Sequence, residues 1–350
     1  VPFLVQKKVT LKEIAQRTGV SLGTVHRAIY GKSGISEETR KRILKEVERT
    51  NYQVDEAASI LKRSAKNVVV VLPKAQKEDR FYFRGLWRGI RKAAQEMEQY
   101  KIFFRFIESD CPLTQIWREL ERVYDEMLEE IDGLITIADS EKTNLWISRF
   151  DKRGIPTILL SSYYEEKGAA VSCIKVDHER CGCLAAEFMH YSLKGGGGKI
   201  LMLCGDNQIY SNRVYAEHFE KEMLKFGHEV LKVEGFGRED IEQECSRYLE
   251  EEQVQAVFAS NARITFGICQ IMEERNMGKD ILVVGTDIFE ELQPYYENNI
   301  LNAVIFQYHW EQGVHAVNKM HEYLSRGIRD QQDEILPPVL LLKSNYEYFL

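Results

Sequence analysis

Val9-Thr-Leu-Lys-Glu-Ile-Ala-Gln-Arg-Thr-Gly-Val-Ser-Leu-Gly-Thr-Val-His-Arg-Ala-Ile-Tyr30 holds two short helical patterns hinged at Gly19-Val20. That is the layout of a helix-turn-helix, which places its second helix in the DNA major groove. Thr10 and Glu13 form a capping box that satisfies free N–H groups at a helix start, and Ile14 and Ala15 supply the buried face. Gly19 suits a turn with positive φ, and Ser21 is a good N-cap for a second helix with Val25 and Ile29 inward. Leu22, Gly23, Thr24, His26 and Arg27 then face outward. A third helix follows, with Ser36 as N-cap, Glu37 and Glu38 in its first turn, and Ile43, Leu44 and Val47 at helical spacing.

Charge separates this segment from the rest. Residues 1–66 carry 14 Lys and Arg against 7 Asp and Glu, a surplus of +7, whereas the 350-residue chain stands at −7. Residues 67–350 therefore hold −14, and the basic character sits where phosphate contacts are needed.

The run resembles the N-terminal signature of the LacI-type transcriptional regulators, Val-Thr-x-x-x-Ile-Ala-x-x-x-Gly-Val-Ser-x-x-Thr-Val-x-Arg. The match continues through Ile35-Ser36 and Thr39-Arg40 to Asn51-Tyr52 and Leu61. The resemblance implies a DNA-binding domain over residues 1–54, working as a homodimer on double-stranded palindromic operator DNA. Its DNA-contacting residues would be Thr10, Ser21, Leu22, Gly23, Thr24, His26, Arg27, Tyr30, Tyr52 and Leu61. Arg27 is the candidate for a bidentate contact to guanine, while Lys12, Arg17 and Lys32 fall to phosphate or to a solvated helix face. Residues 55–66 form the hinge. Asp55–Arg63 is helix-compatible but only about two turns long, so it needs a partner to fold. The resemblance implies that it folds on the operator, with Leu61 wedged between base steps in the minor groove. Val54-Asp55 replaces the family's Pro-Asn, and Ala58-Ser59 its Ala-Arg, which reduces the expected groove contacts.

From residue 67 the rhythm changes. Val68–Leu72 precedes a helical pattern over Phe83–Tyr100, then Ile102–Ile107 and a helix near Gln115–Glu130. Gly133–Ile137, Thr157–Leu160, Lys199–Leu203, Ala256–Phe258 and Ile281–Val284 read as short buried strands separated by helix-length segments. The fold class is thus an N-terminal all-α helix-turn-helix domain followed by α/β, doubly wound parallel sheets. Residues 67–350 exceed one ordinary sheet domain, so two lobes with a cleft between them are expected.

This part resembles the sugar-binding lobes shared by LacI-type regulators and periplasmic ribose-type binding proteins. The implied effector and dimerisation domain spans 67–350, with an N-lobe over 67–162 and 306–328 and a C-lobe over 163–305 and 329–350. Asn261, Asp287 and Gln307 fall where the family faces the effector or the hinge, and a carboxylate with two amides suits vicinal hydroxyls. Tyr82 and Phe83 match a pair of aromatics that stacks on a sugar ring, and Arg80 could reach hydroxyls or an acidic group; the plainer reading makes both aromatics core. Two departures stand out. Tyr215 occupies the register of the family's effector Arg, with Arg213 two residues earlier, and Ser161-Ser162 stands where several sugar binders carry Asp or Asp-Arg.

The reading is a sequence-specific regulator, a repressor, whose operator affinity is set by a small sugar-like effector between the lobes. The alternative is control by a protein partner, as in the catabolite-control branch of the family. No nucleophile, base or metal constellation marks an enzyme, and no cofactor is implied. The seven cysteines, Cys111, Cys173, Cys181, Cys183, Cys204, Cys245 and Cys269, lack framework spacing and fit reduced thiols. His178 with Cys181 and Cys183 lacks a fourth zinc ligand and reads as packing. Gly195–Gly198 precedes a strand, the reverse of a phosphate cradle, and reads as a loop. With no long apolar run and only Val1–Val5 ahead of the motif, a cytoplasmic protein without membrane contact is expected.

Overall fold

The computed structural model describes residues 9–29, 34–50, 64–193, 197–235, 237–277, 280–328 and 331–350. Three helices open the chain: α1 (Leu11–Thr18), α2 (Leu22–Ile29) and α3 (Glu37–Arg49). Thr10 and Glu13 make the reciprocal capping box, and Gly19 ends α1 at φ 67°, a left-handed conformation that only glycine adopts without cost. Ser21 Oγ accepts from the Thr24 amide at 3.1 Å, and Ser36 Oγ from the Thr39 amide at 3.2 Å. Ile14, Ala15, Val25, Ala28 and Ile43 form the small core, to which Ile29 adds a half-buried edge.

The first lobe is built on β1 (Lys66–Pro73), β2 (Ile102–Ser109), β3 (Gly133–Thr136), β4 (Thr157–Leu160), β5 (Ser172–Val176) and β11 (Glu334–Leu336). These pair in parallel in the order β11-β5-β4-β3-β1-β2. The two-residue period of β1 assigns its valines. Val68, Val70 and Leu72 meet α4 (Arg80–Met97) and α12 (His309–His321), while Val69 and Val71 meet α5 (Trp117–Met127) and α6 (Glu141–Lys152). A strand buried on both faces reads as a continuous apolar run, which is why β1 was legible.

The second lobe repeats the plan with β6 (Lys199–Cys204), β7 (Glu229–Glu234), β8 (Val254–Ala259), β9 (Leu282–Thr286), β10 (Ala303–Phe306) and β12 (Val339–Leu342). Their order is β12-β10-β9-β8-β6-β7, with β12 antiparallel to β10 and the other pairs parallel. Helices α7 (His178–Ser192) and α8 (Tyr210–Lys225) cover one face, and α9 (Arg238–Glu251) and α10 (Ala262–Glu274) the other. A short α11 (Gln293–Glu297) follows β9.

The lobe boundary departs from the sequence expectation. Ser172–Val176 pairs with β4, and Glu334–Leu336 pairs with β5, so the chain leaves the first lobe at Asp177 rather than at 162, and its last return lies between 336 and 339 rather than at 328. Ser172 and Lys175 break the apolar run of β5, which hid it as a strand. Edge strand β7 is half-exposed along most of its length and carried an equally weak signal. Helix α4 starts at Arg80, three residues before the expected Phe83, and α5 is confined to 117–127. Of the Gly195–Gly198 run, Gly197 and Gly198 are described and lead directly into β6.

Helices α4 and α12 meet backbone to backbone. A Cβ added at Gly89 would lie 2.1 Å from the Trp310 carbonyl oxygen, so only glycine permits this approach. Among the described residues no helix is long and apolar enough to cross a membrane.

Candidate functional site: the interlobe cleft and the reading helix

Helix α2 buries Val25 and Ala28 against α1 and α3, which turns its opposite face to solvent. Leu22 is 49% exposed, Ser21, Gly23, His26 and Arg27 are exposed, and Thr24 is half-buried with its hydroxyl 2.9 Å from Ser21 Oγ. Thr10 caps α1. Lys12 is exposed, whereas Arg17 reaches Glu46 of α3 at 3.4 Å. Tyr30, Lys32, Tyr52 and Leu61 lie outside the described residues.

Between the lobes lies a cleft with about 680 Å3 of empty space, open to solvent. Its polar wall is made where loops leave the carboxyl ends of strands, the usual ligand position in doubly wound sheets. Asp139 follows β3, Ser161 follows β4, Asn261 follows β8, Asp287 follows β9 and Gln307 follows β10. Tyr82 and Phe83, from the first turn of α4, supply aromatic edges and faces, with their rings 5.2 Å apart at 79°. Tyr215 also reaches the cleft, but its ring is core and its hydroxyl is 3.3 Å from Thr286 Oγ1.

Two of the expected residues are directed elsewhere. Arg80 donates to the Lys77 carbonyl at 2.5 Å, pairs with Glu291 at 3.4 Å and lies over the Phe81 ring, along the rim. Arg213 sits over Tyr210, and its neighbours Ser211 and Asn212 line the cleft instead. Spacing along the helix set both positions, but their long side chains follow nearby rings and carboxylates.

At the hinge, three non-glycine residues adopt left-handed backbone: Ser161 (φ 66°), Asp287 (φ 67°) and Tyr308 (φ 57°). Such conformations cost roughly 1–2 kcal/mol each and persist where surrounding bonds impose them. Those bonds are present. The Ser161 amide donates to Gln312 Oε1 at 3.1 Å, its carbonyl accepts from His178 Nε2 at 2.9 Å, and its hydroxyl meets that of Tyr82. Asp287, wholly buried, accepts from the Gln307 amide at 3.2 Å and from Gln307 Nε2 at 3.0 Å, with His309 Nε2 3.0 Å away. Gln312 Nε2 closes the network on the Gln307 carbonyl at 2.6 Å.

Sequence reasoning missed Asp139 as a cleft residue and read His178, weighed against a metal site, as ordinary packing. Burial raises the Asp139 carboxyl to about 6, against a lowering hydrogen bond from Ser162. Burial pushes His178 down to about 4, so its imidazole is neutral near pH 7. Cys181 packs into the core beside Ala185 and Phe219, and among the described residues no three His, Cys, Asp or Glu side chains gather as metal ligands. A strand-end carboxylate in a doubly wound sheet was the available signal for Asp139.

The lobes also grip each other at the rim. Phe81 of α4 is buried in the second lobe's core, stacked on Phe289 at 4.0 Å and 5.1 Å from Phe266. Asp79 binds Arg263 at 2.7 Å, and Arg84 joins Arg80 on Glu291.

The comparisons with known proteins agree with this architecture. Residues 69–327 match the model of the periplasmic binding protein domain, and residues 10–55 that of the bacterial regulatory proteins of the lacI family. The HTH-type transcriptional regulator MalR of Streptococcus pneumoniae is 24% identical over 294 residues, 78% of this chain and 82% of its own length. Catabolite control protein A of Priestia megaterium is 23% identical over 288 residues, 80% and 82% of the two chains. An ABC transporter solute binding protein from Bacillus halodurans, solved with myo-inositol bound, superposes with a TM-score of 0.72 at 18% identity over 82% of this chain and 98% of its own. The chain belongs to the lacI family of bacterial regulatory proteins, as a transcriptional regulator whose cleft-bearing domain is of the periplasmic binding protein type.

Proposed function

We propose that this regulator is a repressor that binds palindromic double-stranded operator DNA as a homodimer, and that a sugar-like molecule in the cleft controls that binding. The observation that carries the reading is the sharing of the cleft: Tyr82, Phe83 and Asp139 come from the first lobe, and His178, Asn212, Asn261 and Asp287 from the second. A ligand held by both walls favours one lobe arrangement. If operator binding favours another, each ligand changes the other's affinity by the same coupling free energy. One α2 helix covers one half-site, so a two-fold dimer matches half-sites about one helical turn apart.

The test selects DNA from a random pool with the full chain and measures binding by fluorescence anisotropy, with and without each of a set of monosaccharides and polyols. Selected sites should be two-fold symmetric, and at least one compound should shift operator affinity. Arg27→Ala should cost about 1–3 kcal/mol on the selected site and much less on random DNA. Asymmetric sites, or equal losses on both DNAs, would remove the dimeric reading or the base-reading role of Arg27.

A further inference from the structure

We infer that the cleft selects an uncharged polyhydroxyl ligand through Asp139 on the first lobe and His178 on the second, and rejects phosphorylated and carboxylated sugars. This rests on the reading of the cleft as the effector site. Asp139 is 2% exposed; its Oδ1 accepts from Ser162 Oγ at 2.6 Å, while its Oδ2 is shielded and has no partner among the described residues. His178 Nε2 faces the Ser161 carbonyl, which can only accept, so in the neutral ring Nε2 carries the hydrogen. Nδ1 is then a bare acceptor, also shielded and without a partner among the described residues. Asn261 has the opposite polarity. Its Oδ1 caps α10 by accepting from the Ile264 amide at 3.0 Å, which leaves Nδ2 as a buried donor with no partner among the described residues.

Three cleft-lining residues, drawn from both lobes, thus each hold a shielded polar atom without a partner among the described residues: two acceptors and one donor. Hydroxyl groups, which donate and accept, satisfy all three, and a buried polar atom left unsatisfied is costly. Anions fit poorly. Asp79, Asp139 and Asp287 line the cleft, and the one Lys or Arg that lines it among the described residues, Arg263, is held by Asp79 at 2.7 Å. A phosphate or carboxylate there meets the Asp139 carboxylate in a poorly screened site with its only nearby guanidinium engaged. The sequence departure at Ser161-Ser162 gains a meaning: Ser162 orients a carboxylate that arrives from β3 instead of β4.

Isothermal titration of the full chain tests this with matched sets: ribose, glucose, galactose and myo-inositol, their phosphates, glucuronate and galacturonate. A neutral member should bind and its anionic counterparts should be weaker by at least roughly tenfold. Asp139→Asn and His178→Gln should each weaken the neutral ligand by roughly ten- to a hundredfold. His178→Gln retains a donor for the Ser161 carbonyl but replaces the ring's Nδ1 with an amide oxygen at a different position, so it tests the placement of the acceptor even if the other variant folds poorly. A phosphate or carboxylate compound binding more tightly than its parent, or both variants binding like the wild type, overturns the inference and leaves the cleft as an effector site. Absence of binding by every compound removes the sugar reading itself and this inference with it.

Discussion

The two lobes share one plan, six strands with helices on both faces, yet contribute different chemistry to the cleft between them. The first offers Tyr82, Phe83 and the Asp139 carboxylate; the second offers Asn212, Asn261 and the His178 imidazole. On the proposed reading a ligand needs both walls, so its affinity depends on lobe arrangement, which suits a switch.

The separateness of the lobes is broken most severely by Phe81, which grows from the first and packs in the core of the second. Phe81→Ala should cost about 3–5 kcal/mol in urea unfolding and increase the radius of gyration in solution scattering. A loss below about 1 kcal/mol would show that the second lobe repacks without it. Asp287→Ala comes next. It strips the acceptor from Gln307 and should cost about 2–4 kcal/mol by the same measurement, with Asp287→Asn milder.

A pH series separates the two walls. The Asp139 carboxyl is raised from 3.8 to about 6 in the folded chain. Between these values the folded state retains a proton that the unfolded state has lost, so this group lowers stability as pH rises. His178 is depressed from 6.5 to about 4, so over nearly the same window the unfolded state binds the extra proton and stability rises with pH. The two slopes oppose. His178→Gln should unmask a fall in stability towards pH 6 and Asp139→Asn a rise, each by at most about 1.4 kcal/mol per pH unit relative to wild type. Urea midpoints between pH 4 and 7 read this directly, and identical slopes in both variants would contradict it. The smallest effect belongs to the rim. Glu291→Ala removes the partner of Arg80 and Arg84, all partly exposed, and should cost less than about 1 kcal/mol, and less still in high salt.

Local chemistry made the N-terminal helices legible, because caps at Thr10, Ser21 and Ser36 and the turn at Gly19 are short-range devices. The same holds for strands buried on both faces. Tyr82, Phe83, Asn261, Asp287 and Gln307 could be placed on the cleft wall because strand ends and a resemblance marked them. Asp139 had the strand-end signal but no match in the resemblance: Ala138-Asp139-Ser140 reads as an ordinary turn before α6, and its contact with Ser162, 23 residues away, is set by tertiary packing. His178 likewise acquires its polarity from the Ser161 carbonyl rather than from its own helix. Arg80 and Arg213 were misdirected for the converse reason: proximity in sequence does not choose among rotamers of a long side chain.

The interleaving of the lobes carries a consequence for biosynthesis. Helix α12 and strand β11 complete the first lobe, and β12, immediately after Pro337-Pro338, completes the second. A nascent chain that has emerged through Gln307 has both sheets short of an edge strand and the α4 face at Gly89 uncovered. Both lobes therefore wait for the stretch from 334 to 342, and a synthesis interrupted before it leaves two incomplete lobes rather than one sound one.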